Sequence, residues 1–451
     1  MKKNLDMLNG NITKGILIMT LPLMAQQVLQ TLFGVFDMTV LSEFADDAAV
    51  GAVGACGTLI TLCTGLLFGC SVGANVIVAR HIGERDRKKT NDAINTSLAF
   101  SLAGGIVLLV VGLLCAETFL RWTNCPESLL PDAVKYFKLY FLGAPVIMLY
   151  NAFASILRAN GDTKRPMIFS ISGGVLKVIL NYVCVAFLNT TVEGVAIATI
   201  ASNLFSGLLS YIALVRTHDN FDFKLRNMRF YLDELKQILY IGIPSGLQTG
   251  LYSFANVIIA TAVNGLGEAA TTGISIANQF DGILYQVIHA PGVAAVSYVA
   301  QNIGAQKYTR VKKSILSACL VSVAFGATLG SLSAIFSGEL SSIMSSTPEV
   351  IEYSRQKMII ISSTYFICGI YEVLASTLKG MGKPIIPTVT TLVYMCGLRF
   401  IWVYLLFPLC PNLTFLYLVW PVGWILSIIT LLAAYFPTMR KLERGLVIAN
   451  K

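Results

Sequence analysis

Long apolar stretches alternate along the chain with short polar connectors. About 20 mostly apolar helical residues cross the hydrocarbon core of a bilayer, so each stretch predicts a membrane-spanning helix. The pattern predicts twelve spans, at 15–41, 49–79, 91–114, 134–157, 167–188, 193–215, 238–263, 270–300, 314–337, 351–378, 387–408 and 414–436. The predicted fold class is therefore an all-α membrane protein with twelve transmembrane helices.

The second half of the chain repeats the first. The segment LRANG at 157–161 returns 221 residues later as LKGMG at 378–382, and VARHIG at 78–83 returns at the same offset as VAQNIG at 299–304. A constant offset over such a distance indicates a duplicated unit. Six spans per copy return the chain to its starting side, so we expect a pseudo-two-fold axis along the membrane normal.

The repeat also predicts how the chain divides. We expect a six-helix N-lobe at 1–215, a charged cytoplasmic linker at 216–237 and a six-helix C-lobe at 238–451. Transporters with this plan usually carry their substrate in a cleft between the halves, which is where we expect it here.

Composition excludes a soluble globular protein, because 55% of the 451 residues are apolar and only 13% are charged. The net charge of +9 does not indicate a nucleic-acid partner, since most of the 33 Lys and Arg residues lie at the termini and in alternate connectors. By the positive-inside rule we expect both termini in the cytoplasm, and the lipid bilayer is the expected partner. The exceptions are Arg121, Lys135, Lys138, Arg355 and Lys357, which we assign to the opposite connectors and the span ends that adjoin them, and Lys177 and Arg399 within spans.

Motifs for nucleotide, metal or enzymatic chemistry are missing from the sequence. It contains neither a P-loop nor a Gly-rich dinucleotide fingerprint, so we expect no nucleotide partner. Its ten cysteines form no CxxC pair, and its three histidines form no set with a nucleophile or metal ligands. We therefore expect no cofactor, no metal and no enzyme activity. If the protein pumps a substrate, it uses an ion gradient or a partner.

Ionisable side chains inside spans need a reason, because each costs about 2.5–3.5 kcal/mol at the centre of a helix. In the first half these are Asp37 on the first span and Lys177 on the fifth, with Asn181 on the same helix face at i+4. The depths of Asp37 and Lys177 permit a pair if the two spans adjoin. Such a pair is either a site of proton or cation exchange or a structural ion pair.

The second half holds a second candidate polar site. Depth in the membrane predicts that Arg399 pairs with Asp281, while Glu372 either titrates during transport or forms hydrogen bonds between helices. His289 is either a packing residue or a participant in proton movement. The candidate site comprises Asn256, Asp281, Glu372 and Arg399.

Prolines and aromatic residues add further candidates. Pro22 and Pro244 interrupt equivalent spans of the two halves, and each is either a hinge for alternating access or a packing bend. Aromatic faces attract organic cations, so several rings are candidates for lining the substrate cleft. They are Tyr150, Phe153, Tyr252, Tyr285 and Tyr371.

Together, the loop LRANGDTKRPM at 157–167, the VARHIGERD and VAQNIGAQK loops, Pro22, Asp37 and the repeat of six spans resemble the multidrug and toxic compound extrusion family. The resemblance covers nearly the whole chain. It implies an ion-coupled antiporter of a bacterial inner membrane, which exports cationic or amphipathic small molecules by alternating access. The alternatives are a flippase for lipid-linked oligosaccharides of the same superfamily and a membrane-embedded enzyme.

The resemblance also implies roles for residues. Asp37 matches the aspartate that binds the coupling proton or cation in the family, and Thr199 completes the polar cluster around it. Many relatives carry Asn-x-x-x-Asn/Asp where this chain has Lys177 and Asn181. Because an ammonium can occupy the place of a metal cation, we expect proton coupling, with sodium as the alternative. No acid lies between Pro244 and Val263, so the chain resembles the DinF-like or MepA-like branch more than the NorM-like one.

Overall fold

The computed structural model describes residues 5–45, 47–188, 190–218, 220–224, 226, 228–410 and 412–445. Within these ranges the chain forms helices and connecting turns, and no strand. The helices of the first half are α1 (Ile12–Phe44), α2 (Asp47–Glu84), α3 (Arg87–Trp122), α4 (Leu130–Leu142), α5 (Ala144–Ala159), α6 (Lys164–Tyr182) and α7 (Val192–Val215). A π-helical segment, Val183–Phe187, extends α6.

The second half has the same order of spans, divided into more helical segments. Its helices are α8 (Leu232–Asn264), α9 (Glu268–Gly304), α10 (Tyr308–Ile335), α11 (Ser337–Ser342), α12 (Pro348–Ser363), α13 (Tyr365–Gly380), α14 (Ile385–Thr390), α15 (Leu398–Ile401), α16 (Leu413–Tyr417) and α17 (Val419–Glu443). Two π-helical segments, Thr391–Gly397 and Trp402–Leu406, join α14 and α15 into one span, Ile385–Leu409.

Twelve spans are present in the described part of the chain. Ten helices are long and apolar enough to cross a membrane, and two bent pairs pass the same test together. The pairs are α4–α5, bent by 48°, and α12–α13, bent by 51°. The prediction of an all-α membrane protein with twelve transmembrane helices is confirmed.

Polar helix ends extend the spans beyond their apolar cores. The second predicted span ends at 79, whereas α2 continues to Glu84. Likewise α8 begins at Leu232, inside the predicted linker, because Asp233 and Glu234 in its first turn complement the positive end of the helix dipole.

The described chain forms two compact units. Unit 1 is built mainly from Ala25–Leu247, and unit 2 from Asp6–Met24 together with the chain from Gln248 onward. The start of α1 thus belongs to unit 2 and the start of α8 to unit 1. The lobes predicted from the repeat, 1–215 and 238–451, stay a prediction of how the chain divides in the membrane.

Each unit has its own apolar core. In unit 1, Leu41 of α1 packs with Tyr136, Phe137 and Phe141 of α4. In unit 2, α13 and α17 contribute to one cluster, in which the rings of Tyr365 and Trp424 stack with centroids 5.8 Å apart.

Paired glycines bring α2 and the start of α8 into backbone contact within unit 1. They form two small-xxx-small motifs, Gly69 with Gly73 and Gly242 with Gly246. A Cβ at Gly242 would lie 2.5 Å from the Cα of Cys70, and one at Gly246 would lie 2.6 Å from the Cα of Leu66. Small residues at this spacing let membrane helices pack at short range, a signal that the sequence analysis missed.

Candidate functional site

Helices α1 and α6 run parallel in unit 1 and meet along one stripe. The Nε2 of Gln30 donates to the Oγ of Ser170 at 3.1 Å. One turn further along both helices, Gly174 lies directly against the ring of Phe33, where a Cβ would collide with the ring carbons. This close approach brings the next residues of the stripe within hydrogen-bonding distance.

Asp37 is the centre of a buried polar cluster on this stripe. The Nζ of Lys177 donates to its Oδ2, and the Nδ2 of Asn181 donates to its Oδ1. Only 7% of Asp37 is exposed, so the carboxylate is largely removed from water. The structure thus brings together three residues that the sequence grouped by depth and spacing. We call them the first triad.

Thr199 is buried on α7, but its hydroxyl donates to the carbonyl of Val195 on the same helix at 2.8 Å. Its part in the cluster around Asp37 stays a prediction. The Oδ1 of Asn181 is buried and has no hydrogen-bond partner among the described residues. Such an atom carries a desolvation cost of about 1–3 kcal/mol unless a water or ion reaches it.

Glu372, on α13, is the centre of an aromatic cluster in unit 2. Its Oε1 lies 3.2 Å from the hydroxyl of Tyr252 and 3.0 Å from that of Tyr285. Its Oε2 lies 3.9 Å from the Nε2 of His289, whose ring stacks on Tyr285 with centroids 5.7 Å apart. The hydroxyl of Tyr371 lies 2.7 Å from that of Tyr252. Three of the five predicted cleft aromatics therefore gather around one carboxyl group.

The other two predicted cleft aromatics lie on α5 in unit 1. Tyr150 accepts a hydrogen bond from the Nε2 of Gln26 at 3.4 Å, and Phe153 packs against Tyr211 with ring centroids 5.9 Å apart. Both are buried. A role in substrate binding stays a prediction for all five.

The predicted pairing of Arg399 with Asp281 is wrong. The Nη1 of Arg399 donates to the Oδ1 of Asn256 at 2.8 Å, and its guanidinium lies 4.7 Å from the ring centroid of Trp420. Asp281 pairs with Lys357 instead, at 2.8 Å. The sequence indicates the depth of a residue along the membrane normal but not the rotation of its helix about the helix axis. Both decide which side chains meet.

Lys357 corrects a second expectation. The sequence placed it in a connector, whereas the structure places it inside unit 2 on α12, with 2% of the residue exposed. Of the four residues in the second candidate polar site, Asn256 therefore contacts Arg399, while Asp281 and Glu372 each have other partners. Pro22 and Pro244 lie inside the continuous helices α1 and α8, and a hinge role stays a prediction.

In the described part of the chain, no set of three or more His, Cys, Asp or Glu side chains is placed to hold a metal ion. The chemistry available at Asp37 is that of a carboxylate, an ammonium and an amide, which can bind and release a proton or exchange one cation for another.

A helical membrane protein with twelve spans, duplicated halves and buried pairs of opposite charge has the architecture of a secondary transporter. The MatE family model matches the chain twice, over residues 22–183 and 244–405. The chain therefore belongs to the MatE family and is a transporter rather than an enzyme. The two matches confirm both the duplication and the family resemblance read from the sequence.

Known relatives agree over most of the chain. The probable multidrug resistance protein YoeA of Bacillus subtilis is 23% identical over 86% of each chain. The probable multidrug resistance protein NorM of Thermotoga maritima is 26% identical over 85% of this chain and 83% of its own. The multidrug export protein MepA of Staphylococcus aureus is 22% identical over 69% of each chain. Because proteins named NorM and MepA are both similar, the branch stays a prediction.

Solved structures share the fold. The outward-facing structure of a multidrug resistance MATE family transporter of the MOP superfamily has a TM-score of 0.91, covering 98% of this chain and 99% of that one. At 20% sequence identity, this likeness concerns the fold alone.

Proposed function

We propose that the protein is a proton-coupled antiporter, which exports cationic or amphipathic small molecules by alternating access across a bacterial cytoplasmic membrane. The observation that carries the proposal is the first triad, a buried carboxylate whose two oxygens accept from an ammonium and an amide. Relatives named for multidrug resistance support the substrate class.

A buried ion pair couples charge to conformation. When a proton neutralises Asp37, the ammonium of Lys177 loses its counter-charge in a medium where an unpaired charge costs several kcal/mol. Protonation therefore favours another arrangement of α1 and α6, or the departure of a second positive charge. A cationic substrate that leaves as the proton arrives meets this requirement.

Lys177 also supports the choice of proton over sodium. Its ammonium already lies beside the carboxylate, where a metal cation would have to bind. Two positive charges at this distance repel each other strongly in a low dielectric. Replacing the lysine by a neutral residue would open the position to sodium.

The orientation follows from charge. Basic residues cluster at the N-terminus, at the C-terminal end of α17 and in alternate connectors, and by the positive-inside rule this supports a cytoplasmic position for both termini. Export then moves the substrate out of the cytoplasm, in exchange for protons that enter down their gradient.

The test is efflux of ethidium from proteoliposomes under an imposed proton or sodium gradient. We expect the proton gradient alone to drive efflux by the wild type, and Asp37→Asn to lower the rate at least about tenfold, which corresponds to about 1.4 kcal/mol. The matched control is Glu43→Gln, an exposed carboxylate on the same helix, which should transport normally. Efflux that needs sodium in the wild type, or that survives Asp37→Asn, contradicts the proposal.

The variant Lys177→Asn tests the role of the ammonium. We expect it to acquire sodium-dependent efflux, because the place beside Asp37 becomes free for a metal cation. If the folded wild type moves no organic cation under either gradient, the antiporter proposal fails, and lipid-linked oligosaccharides become the substrates to test.

A further inference from the structure

We propose that Asp281, Lys357 and Asn278 of unit 2 form a second proton-exchange site, so that the transporter moves two protons for each substrate. The proposal rests on the proposed function, since it adds a second ion to the same antiport. We call these residues the second triad.

The second triad repeats the composition of the first. The Nζ of Lys357 lies 2.8 Å from the Oδ2 of Asp281 and also donates to the Oδ1 of Asn278. Asp281 and Lys357 are both buried, on α9 and α12. Each unit therefore holds a buried aspartate paired with a lysine, and an asparagine that contacts one member of the pair. The asparagine contacts the aspartate in unit 1 and the lysine in unit 2, where Asn278 is exposed.

The duplication does not explain the second triad. At the offset of 222 residues that relates the two family matches, the counterparts of Asp37, Lys177 and Asn181 are Ile259, Arg399 and Val403. Only the basic residue is retained there. The Asp-Lys-Asn set of unit 2 lies instead on a different pair of helices, so it is not an inherited copy of the first.

The two triads share a packing arrangement. In unit 2, Gly273 of α9 lies against α12, where a Cβ would be 2.5 Å from the carbonyl oxygen of Val350 and 3.1 Å from the backbone nitrogen of Ser354. Gly174 plays the same part beside Asp37 in unit 1. In both units, a glycine lets two parallel helices approach closely just before the charged pair.

The second carboxylate is incompletely satisfied. The Oδ1 of Asp281 is buried and has no hydrogen-bond partner among the described residues, and the same is true of the hydroxyl of Tyr417. A purely structural buried pair stabilises a fold only if the remaining lone pairs are also satisfied. An unpartnered, desolvated carboxylate oxygen is instead a place where a proton binds.

The surroundings limit which groups can share this proton. Within the described ranges, the titratable groups that face Asp281 are Lys357 of α12, Tyr365 of α13 and Tyr417 of α16. The hydroxyl of Tyr365 donates to the backbone carbonyl of Asp281 at 3.2 Å and so holds the residue in place. No second carboxyl group is among them, so a single proton neutralises the carboxylate and leaves the ammonium of Lys357 as the charge of the site.

The proposed step is a simple protonation. A proton from the outer aqueous side forms an O–H bond with the Asp281 carboxylate, the contact with Lys357 is released, and the ammonium keeps the Oδ1 of Asn278. The reverse step delivers the proton to the inner side. No covalent bond to carbon changes and nothing is oxidised or reduced.

The test is the number of protons moved per ethidium, taken from the pH gradient that just stops flux against a fixed ethidium gradient, with the membrane potential clamped at zero. We expect about two protons for the wild type and about one for Asp281→Asn. The matched control Glu268→Gln, an exposed carboxylate on the same helix, should stay at two.

A second variant separates proton binding from folding. Asp281→Asn leaves Lys357 as a buried charge without a counter-charge and so destabilises the fold, whereas Asp281→Asn with Lys357→Met removes both charges. We expect the double variant to fold and to move one proton. If either folded variant still moves two protons, or if the wild type moves one, the second site is ruled out. Failure of the proposed function looks different, because the wild type would then show no proton-driven efflux.

Discussion

Single polar side chains define helix ends outside the membrane as well as sites within it. Asp86 caps α3, and its Oδ1 accepts from the backbone nitrogen of Lys89 at 3.0 Å. The preceding residue, Arg85, has a φ of 59°, which makes the tight turn out of α2. The hydrogen bond to the Lys89 amide lowers the pKa of Asp86, because it favours the charged carboxylate.

Removing this cap should destabilise the protein in a pH-dependent way. Asp86→Ala is expected to lower the free energy of unfolding by about 1 kcal/mol at pH 7. Because the pKa of Asp86 is lower in the folded protein than in the unfolded chain, the stabilisation by the charged cap is fully present above the unfolded pKa of about 3.9. It is lost as the pH falls through the pKa of the folded protein. Thermal unfolding of the wild type and Asp86→Ala in detergent, at pH 7 and at acid pH, measures this difference in stability.

Asp86→Asn is the matched control, because it keeps a capping oxygen but does not titrate. Its stability should stay close to that of the wild type at pH 7. If Asp86→Ala unfolds at the wild-type temperature at pH 7, the cap does not contribute.

Among helical elements, the contact between α2 and α8 makes the sharpest prediction. Gly246→Ala places a Cβ 2.6 Å from the Cα of Leu66, a backbone atom that cannot rotate away. We expect a loss of about 1–3 kcal/mol, the usual cost of overpacking, seen as a lower unfolding temperature in detergent.

Gly57→Ala on α2 is the control for this element. A Cβ at Gly57 meets nothing within 4 Å, so the substitution should be neutral or slightly stabilising, because alanine favours helix more than glycine does. Equal effects of the two substitutions would show that the paired glycines do not hold the helices together.

Element boundaries show what a sequence can and cannot provide. The length of each apolar stretch was enough to locate every span. It did not predict the 51° bend between α12 and α13. No proline marks this bend. The backbone amide and hydroxyl of Thr364 donate to carbonyls of the preceding turn, a local competition that bends helices and that residue composition alone does not reveal.

For the molecule as a whole, the repeat and the depth of charged residues could be read from the sequence, because both depend only on position along the chain. Depth permitted the pairing of Asp37 with Lys177, and the contact between α1 and α6 brings the pair together. The partner of Arg399 did not follow from depth, because contacts between helices also depend on how each helix is rotated. The second triad escaped notice because Lys357 was assigned to a connector.

The central claim is that a substrate and a proton exchange places through Asp37, and antiport must then run in both directions. The most direct measurement imposes an ethidium gradient on proteoliposomes without a pH gradient and follows the internal pH with a trapped dye. We predict that ethidium movement drives protons the opposite way in the wild type, whereas Asp37→Asn slows ethidium movement and the accompanying pH change together. Ethidium movement without any pH change, or an equal pH change in Asp37→Asn, would contradict the account.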